Sequence, residues 1–500
     1  FSRFATVALK NEQGETLQTI IFRQVGTYAE IQVETEGGDL ESNLQAIYES
    51  IKSLKIIGSL NSDDFRFINK MPNLKNLDIS EVNITTLPPN AFYNSTNVEN
   101  LILPHTLTTI GQKVFSQSKL KSVVIPSGVT TIEGGYSSSY IRENCGAFYG
   151  CTSLTSIEIP ASVETIGVTA FKGCSSLATV AFEKGSQLKT IAGGSTAYYY
   201  QGVFSDCISL TSIEIPANVE TIEATAFKGC SSLTTVTFEK GSRLKKISAS
   251  AFDGSKLEQI EIPAKVTEIA GGTFKDYETL KTISFESGSQ LKSIGASAFN
   301  GCISLISIII PASVETIGQK AFNKCLSLRT VSFEVGSLLN TIEGGYYYNS
   351  GTSQVIEYCG AFCNCISLTE IEIPASVETI KTTAFHGCSS LTTVAFEKGS
   401  QLKKISGSSI YATSAFFSAT NLMTVDMSEC KQVEYLGDNA FSSCSKLRLF
   451  KIGTRNPPSC GSNTFHPESF SVLQVPLNSI DAYKASDGWK CFPSITGLDE

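Results

Sequence analysis

AFYGCTSLTSIEIPASVETIGVTAF, residues 147–171, is the stretch whose reading decides the fold. AFKGCSSL at 170–177 returns at 226–233, and again as AFHGCSSL at 384–391. IPASVETIG at 159–167 returns at 310–318, with close variants at 215–223 and 373–381. Self-similarity with a period of roughly 20–50 residues marks stacked units, none of which can bury its apolar face alone. A phenylalanine column keeps the period from Phe92 through Phe148, Phe171, Phe204 and Phe227 to Phe465.

Two unit types alternate. One reads AFxxCxxLxxIxIPxxVxxI and takes 23 residues between Phe148 and Phe171; the other ends in VxFexgSxLxxI and takes 25 between Phe227 and Phe252. Period-2 spacing at Ile157 and Ile159, or Val180 and Phe182, predicts a strand buried on one face. Pro160 and Pro216 end it, because proline has no N–H for a ladder. The VxxI segment predicts a second short strand, and the Ala-Phe pair a tight turn that closes the coil.

Working outward, residues 1–50 form a strand-rich segment without the repeat, with strands expected at 4–10, 17–22 and 28–34. Residues 51–90 form an N-terminal cap entering the repeats, residues 91–465 the array, and residues 466–500 a C-terminal cap. Leu54, Ile56, Leu74, Leu77 and Ile79 have the spacing of the entry strands, which shield an otherwise open edge. At the other end a short helix is expected around Asp481–Lys484, with Trp489, the single tryptophan, plugging the core.

The composition excludes several classes. A net charge of −8 and a pI near 5.3 argue against nucleic acid as partner. No apolar run is long enough to span a membrane. The chain starts at Phe1 rather than Met, which reads as a fragment or mature form. Nine of the fifteen cysteines, Cys151 and Cys174 among them, fall three residues after a column phenylalanine, where Ser95, Ser118, Ser255 or Ala419 stand in other copies. Such a column asks for a small buried side chain, so these are structural thiols. Alone they would point to a reducing compartment. Cys145 and Cys359 lie outside that column and are the candidates for pairing or modification.

The AFxxCxxLxxIxIPxxVxxI units, the entry at Leu54–Phe65 and the closing VPLNSIDAYKASDGWKCF at 475–492 resemble the BspA-like leucine-rich repeats of bacterial surface proteins. The resemblance implies a leucine-rich-repeat solenoid: a right-handed, strand-rich curved rod of about 15 repeats of 22–25 residues plus insertions, capped at both ends. It also implies a secreted or cell-surface adhesin that binds a host extracellular-matrix or plasma protein. No family binding residue maps onto a position here, and fold alone leaves function open.

The array departs from itself at one register. The step from the VxxI isoleucine to the next phenylalanine is normally five residues, as from Ile166 to Phe171. It lengthens to 16 from Ile132 to Phe148, 13 from Ile191 to Phe204, 20 from Ile342 to Phe362 and 11 from Ile405 to Phe416. Insertions at one register are expected to emerge from one face, often the binding face. Ten of the 17 tyrosines lie in them: Tyr136, Tyr140, Tyr198, Tyr199, Tyr200, Tyr346, Tyr347, Tyr348, Tyr358 and Tyr411. Tyrosine among Ser, Gly, Thr and Asn is the palette of antibody paratopes, rigid contact area joined to adaptable hydrogen bonding. Two tyrosine clusters on one edge are expected. The alternative is that the rings fold back onto the flank.

The exposed strand face is a second candidate, with Glu158, Glu214, Glu261 and Glu372 forming a broken line of carboxylates. It suits a basic or sugar-rich partner, although a solvated sheet face would look the same. Cys363, Cys365, His386 and Cys388 occupy neighbouring units, but positions one and three after a phenylalanine point to different sides of a turn, so no metal site is assigned. His105, His386 and His466 sit in unrelated contexts and no nucleophile motif accompanies them. The expectation is a monomeric, non-catalytic protein without cofactor that binds a host protein. Glycan binding through the same tyrosines is the alternative, and a structural spacer the second.

Overall fold

The computed structural model describes residues 3–10, 16–25, 28–135, 145–194, 202–348, 355–408, 413–465 and 471–498. The fold is a parallel β-solenoid divided into two compact units, Phe1–Leu244 with Ala251–Ser255, and Lys245–Ser250 with Lys256–Glu500.

In the first unit Arg3–Lys10, Thr16–Val25 and Tyr28–Glu36 form an antiparallel meander whose last strand pairs in parallel with Ser53–Ser59. Asn76–Val82, Asn100–Ile102 and Ser122–Val124 continue the sheet in parallel. Ser156–Ile159 then pairs with Thr179–Phe182, and Ser212–Ile215 with Thr235–Phe238. In the second unit ten parallel strands run from Gln259–Ile262 to Ser494–Gly497, beside a ladder of two-residue strands that begins at Lys246–Ile247. The coils number about 19 rather than about 15, because strands at both ends that lack the Ala-Phe signature stack as well.

The strands of the first coil type bury alternate residues, as Ile157 and Ile159 do, and expose Ser156 and Glu158; in the second type Val180 is buried but Phe182, expected inside, is only half-buried at the end of its strand. A polar rule links the two coil types. Glu183, which opens the turn after Phe182, accepts the N–H of Ala161 on the preceding coil at 2.9 Å, and Glu239, Glu286, Glu334 and Glu397 repeat the bond. It satisfies a turn N–H that no ladder reaches.

Inside, the phenylalanines stack face to face. Centroids are 4.8 to 5.5 Å apart from Phe92 to Phe252, and 5.2 to 5.9 Å from Phe274 to Phe465. That is close to the strand spacing of roughly 4.8 Å, so one ring fits each coil. The column thiols have a second task. Cys151 donates to the carbonyl of Phe115 at 2.9 Å and Cys174 to that of Phe148 at 3.1 Å; the same bond recurs from Cys207 to Phe171 and from Cys388 to Phe362. A thiol is small enough for the column and still caps a buried carbonyl one coil back. No disulfide joins cysteines among the described residues, and Cys145 and Cys359 are both buried.

The ends are closed by aromatic plugs. Helix Ser62–Lys70, begun by an Asn61–Asp64 capping box, sets Phe65 edge-on to Phe92 at 5.6 Å. The buried Asp64 carboxylate also accepts the N–H groups of Gly38 and Leu40, tying down the turn after the meander. At the far end Trp489 is fully buried against Phe450, Phe465, Tyr483 and Phe492, and its indole N–H reaches the Pro458 carbonyl at 3.0 Å.

Candidate functional site

A plain coil passes from its second strand to its phenylalanine through one residue in the left-handed region, such as Lys113, Ser297 or Lys320, with φ near 58°. A coil with an insertion cannot take that path and leaves the wall instead. It departs through Gly134, Gly193, Gly344 or Gly407, and three of the four return through Gly146, Gly202 or Gly360. A Cβ at any of these seven would meet a carbonyl oxygen of the next coil at 1.7 to 2.1 Å. Only glycine permits that approach.

The next coil supplies a clamp. Thr169, Thr225 and Thr383 each follow an insertion by one coil, are fully buried, and hold φ of 64° to 68°. A β-branched residue there is a genuine outlier that costs about 1–3 kcal/mol. The hydroxyl gains a partner in return. Thr383 donates to the Gly345 carbonyl at 2.6 Å and accepts its N–H at 3.1 Å; Thr169 does the same with Gly135, and Thr225 accepts from Gly194. After the fourth insertion Asn439 takes this position and donates to the Ser408 carbonyl. Sequence reasoning missed these roots, although the signal is present: the left-handed position reads Thr, Thr, Thr and Asn one unit after each insertion.

In the second unit two insertions begin and end as antiparallel hairpins. Tyr346–Tyr348 pairs antiparallel with Val355–Tyr358, and Gly407–Ser408 with Thr413–Ser414. The hairpins touch: Tyr346 Oη lies 3.3 Å from Ser408 Oγ. Tyr358 stacks on His386 with centroids 3.7 Å apart, and His386 stacks on Phe417 at 5.4 Å. Tyr346 and Tyr358 are half-buried, whereas Tyr347 is 58% exposed. The Lys320 ammonium lies 5.2 Å from that ring and 2.5 Å from the Glu357 carboxylate. Burial alone would lower the Lys320 pKa, but Glu357, Cys359 and Tyr347 together outweigh it and hold the ammonium above its ordinary value. Burial pushes the Cys359 thiol up and pulls His386 down to about 4, so the His386 imidazole is neutral near pH 7.

Tyr136, Tyr140, Tyr198, Tyr199, Tyr200 and Tyr411 lie outside the described residues, as does the side chain of Tyr348. Glu158, Glu214, Glu261 and Glu372 are exposed on their strands, in register with Ala181, Thr237, Ser284 and Ala395. Cys363, Cys365, His386 and Cys388 do not converge: Cys388 is turned to Phe362, Cys365 to Phe322, and His386 to the Tyr358 ring. Among the described residues no group of three or more His, Cys, Asp or Glu could hold a metal ion, and no helix is long and apolar enough to cross a membrane.

Comparison with known proteins gives three kinds of result. The model of the family described as "BspA type Leucine rich repeat region" matches in six copies, over residues 17–145, 139–199, 197–329, 245–360 and 354–484. Among solved structures, a leucine-rich repeat protein from Bacteroides ovatus is 22% identical, with 87% of this chain and 93% of that chain covered and a TM-score of 0.49. A leucine rich cell surface protein from Faecalibacterium prausnitzii is 21% identical, covering 84% of this chain and 95% of its own, with a TM-score of 0.31. The pneumococcal vaccine antigen PcpA is 22% identical over 69% of this chain and 89% of its own, with a TM-score of 0.32. No curated protein matches.

Proposed function

The chain belongs to the BspA-type leucine-rich repeat family, and on that premise we propose that it is a non-catalytic, extracellular or cell-surface binding protein. It engages a host matrix or plasma protein through its tyrosine-rich insertions, with the adjoining strand face as a secondary contact. The observation that carries this reading is the contrast at the insertion roots. Each insertion has a glycine exit and a clamping Thr or Asn on the next coil, a local backbone arrangement that plain coils do without. Loops so rooted, presenting an exposed Tyr347 beside the Lys320–Glu357 pair, have the rigid aromatic and adaptable polar groups of a paratope. Tyr136, Tyr140, Tyr198, Tyr199 and Tyr200 of the first unit and Tyr348 and Tyr411 of the second are the further insertion tyrosines assigned to binding in this proposal, with Glu158, Glu214, Glu261 and Glu372 as the strand-face contacts.

The test replaces each insertion by the five-residue step of a plain coil. Binding to a panel of matrix and plasma proteins is expected to fall about tenfold or more, while far-UV circular dichroism stays that of the parent. Unchanged binding would overturn the role of the loops. Loss confined to a glycan array would assign the tyrosines to carbohydrate stacking instead.

A further inference from the structure

The second unit carries an aliphatic patch that its own repeats show to be out of place. Among the described residues, five of the thirteen exposed large apolar side chains, Ile306, Ile309, Leu326, Val335 and Leu338, stand on two successive coils. Ile309 is 59% exposed and Val335 96%. In equivalent coils the position of Ile309 holds Glu158, Glu214, Glu261 or Glu372, and that of Ile306 holds Thr155, Thr211 or Thr369. Leu326 replaces Ser175 and Ser231, Val335 replaces Lys184 and Lys240, and Leu338 replaces Gln187 and Gln401. The fold therefore gives these positions no need of apolar side chains, since sister coils build the same wall with polar ones.

The coils bring them together. The Arg329 N–H bonds to the Ile306 carbonyl at 2.8 Å, Ile309 is in register with Ser332, and the Leu338 N–H bonds to the Ala312 carbonyl at 2.9 Å. The patch thus runs along the strand direction over adjoining coils. Contiguous exposed aliphatic surface on a soluble protein marks a contact site.

Charge says what covers it. Along the strand face Glu261 lies two strands to one side of Ile309, and Glu370 with Glu372 two strands to the other, each about 10 Å away at one strand spacing per coil. All three are exposed, and none makes an ion pair among the described residues. Two cations stand beside the apolar centre, Arg329 and Lys281 one coil to either side of Ile306, and Lys281 is held in an ion pair with Glu258 at 3.0 Å. A second copy of this face would set carboxylate against carboxylate. We propose that this patch is a docking site, separate from the insertions, for a protein segment with a short aliphatic run flanked on both sides by Lys or Arg.

The probe is the synthetic peptide Lys-Lys-Val-Ile-Leu-Val-Lys-Lys, compared by calorimetry with the same centre flanked by Glu. The full chain is expected to bind the Lys-flanked peptide about tenfold or more tightly than the Glu-flanked one, and less tightly as salt rises. The combined variant Ile306→Thr, Ile309→Glu, Leu326→Ser, Val335→Lys and Leu338→Gln takes its residues from sister coils, so it retains the fold. It should lose binding about tenfold. A second variant, Glu261→Gln with Glu370→Gln and Glu372→Gln, should bind both peptides alike. Equal binding of both peptides by the parent, or binding untouched by the aliphatic variant, would overturn the proposal. So would self-association of the parent, abolished in the aliphatic variant, with no peptide binding.

Discussion

The coil from Ile317 to Phe322 and the coil from Ile342 to Phe362 have the same strand, the same inward isoleucine and the same phenylalanine on the stack. They differ in how they get from one to the other. The first turns through Lys320 in the left-handed region, and its backbone bonds the next coil directly, the Lys320 N–H reaching the Cys359 carbonyl at 3.1 Å. The second leaves through Gly344, returns through Gly360, and is held by Thr383 on the coil beyond. Every coil of the wall thus leans on its neighbour through the same backbone bonds, and a loop root adds a glycine approach and a side-chain clamp from the coil beyond.

The harshest way to break that comparison is Gly360→Ala. Its Cβ would meet the Thr383 carbonyl oxygen at 1.7 Å, so the backbone must move, and a loss of about 3 kcal/mol or more is expected. Gly185→Ala, in a plain turn with φ of 83° and nothing within 4 Å, should cost only about 1 kcal/mol. Urea midpoints of the two variants, compared directly, check the difference.

Acid should separate the two coils next. The His386 pKa lies at about 4 in the folded chain against an ordinary 6.5, because burial opposes its charge. The unfolded state therefore binds the extra proton between those values. Stability is full above pH 6.5 and declines as pH falls towards 4, by at most about 3 kcal/mol. Hydrogen exchange at the Tyr346–Tyr358 hairpin should rise over that window in the parent, and His386→Phe, which keeps the stack without the proton, should remove the rise. A pH dependence unchanged by the substitution would locate the titrating group elsewhere.

The smallest effect belongs to the wall. Cys174→Ala removes the donor to the Phe148 carbonyl and should cost about 1–2 kcal/mol, while Cys174→Ser, which keeps a donor, should cost less. Thermal melts of the two variants give the order. Equal losses would mean that the thiol matters for its volume alone.

The wall was the legible part. Phe148, Ile157 and Leu154 recur because every coil asks the same thing of them, and repetition is what periodic reading detects. Trp489 and the helix near Asp481 were legible as departures at an end. Thr383 was not, since TTAF differs little from SASAF or GQKAF, and its meaning depends on a glycine 38 residues away in the chain. His386 looked like a stray ligand because a ring stack across three coils leaves no spacing rule. The exposed Ile309 was visible as a letter, but its significance came only with the polar residues of its sister coils and its place between carboxylates.

The thiol column carries a consequence for how such a molecule changes length. A cross-link commits two particular residues to one another, so removing one strands the other. Here the column sulfur addresses the main chain of whichever coil precedes it, as Cys174 does Phe148 and Cys207 does Phe171. Whole coils that carry the cysteine can therefore be gained or lost by unequal exchange between the near-identical stretches, and the seam closes with the same sulfur-to-carbonyl bond remade.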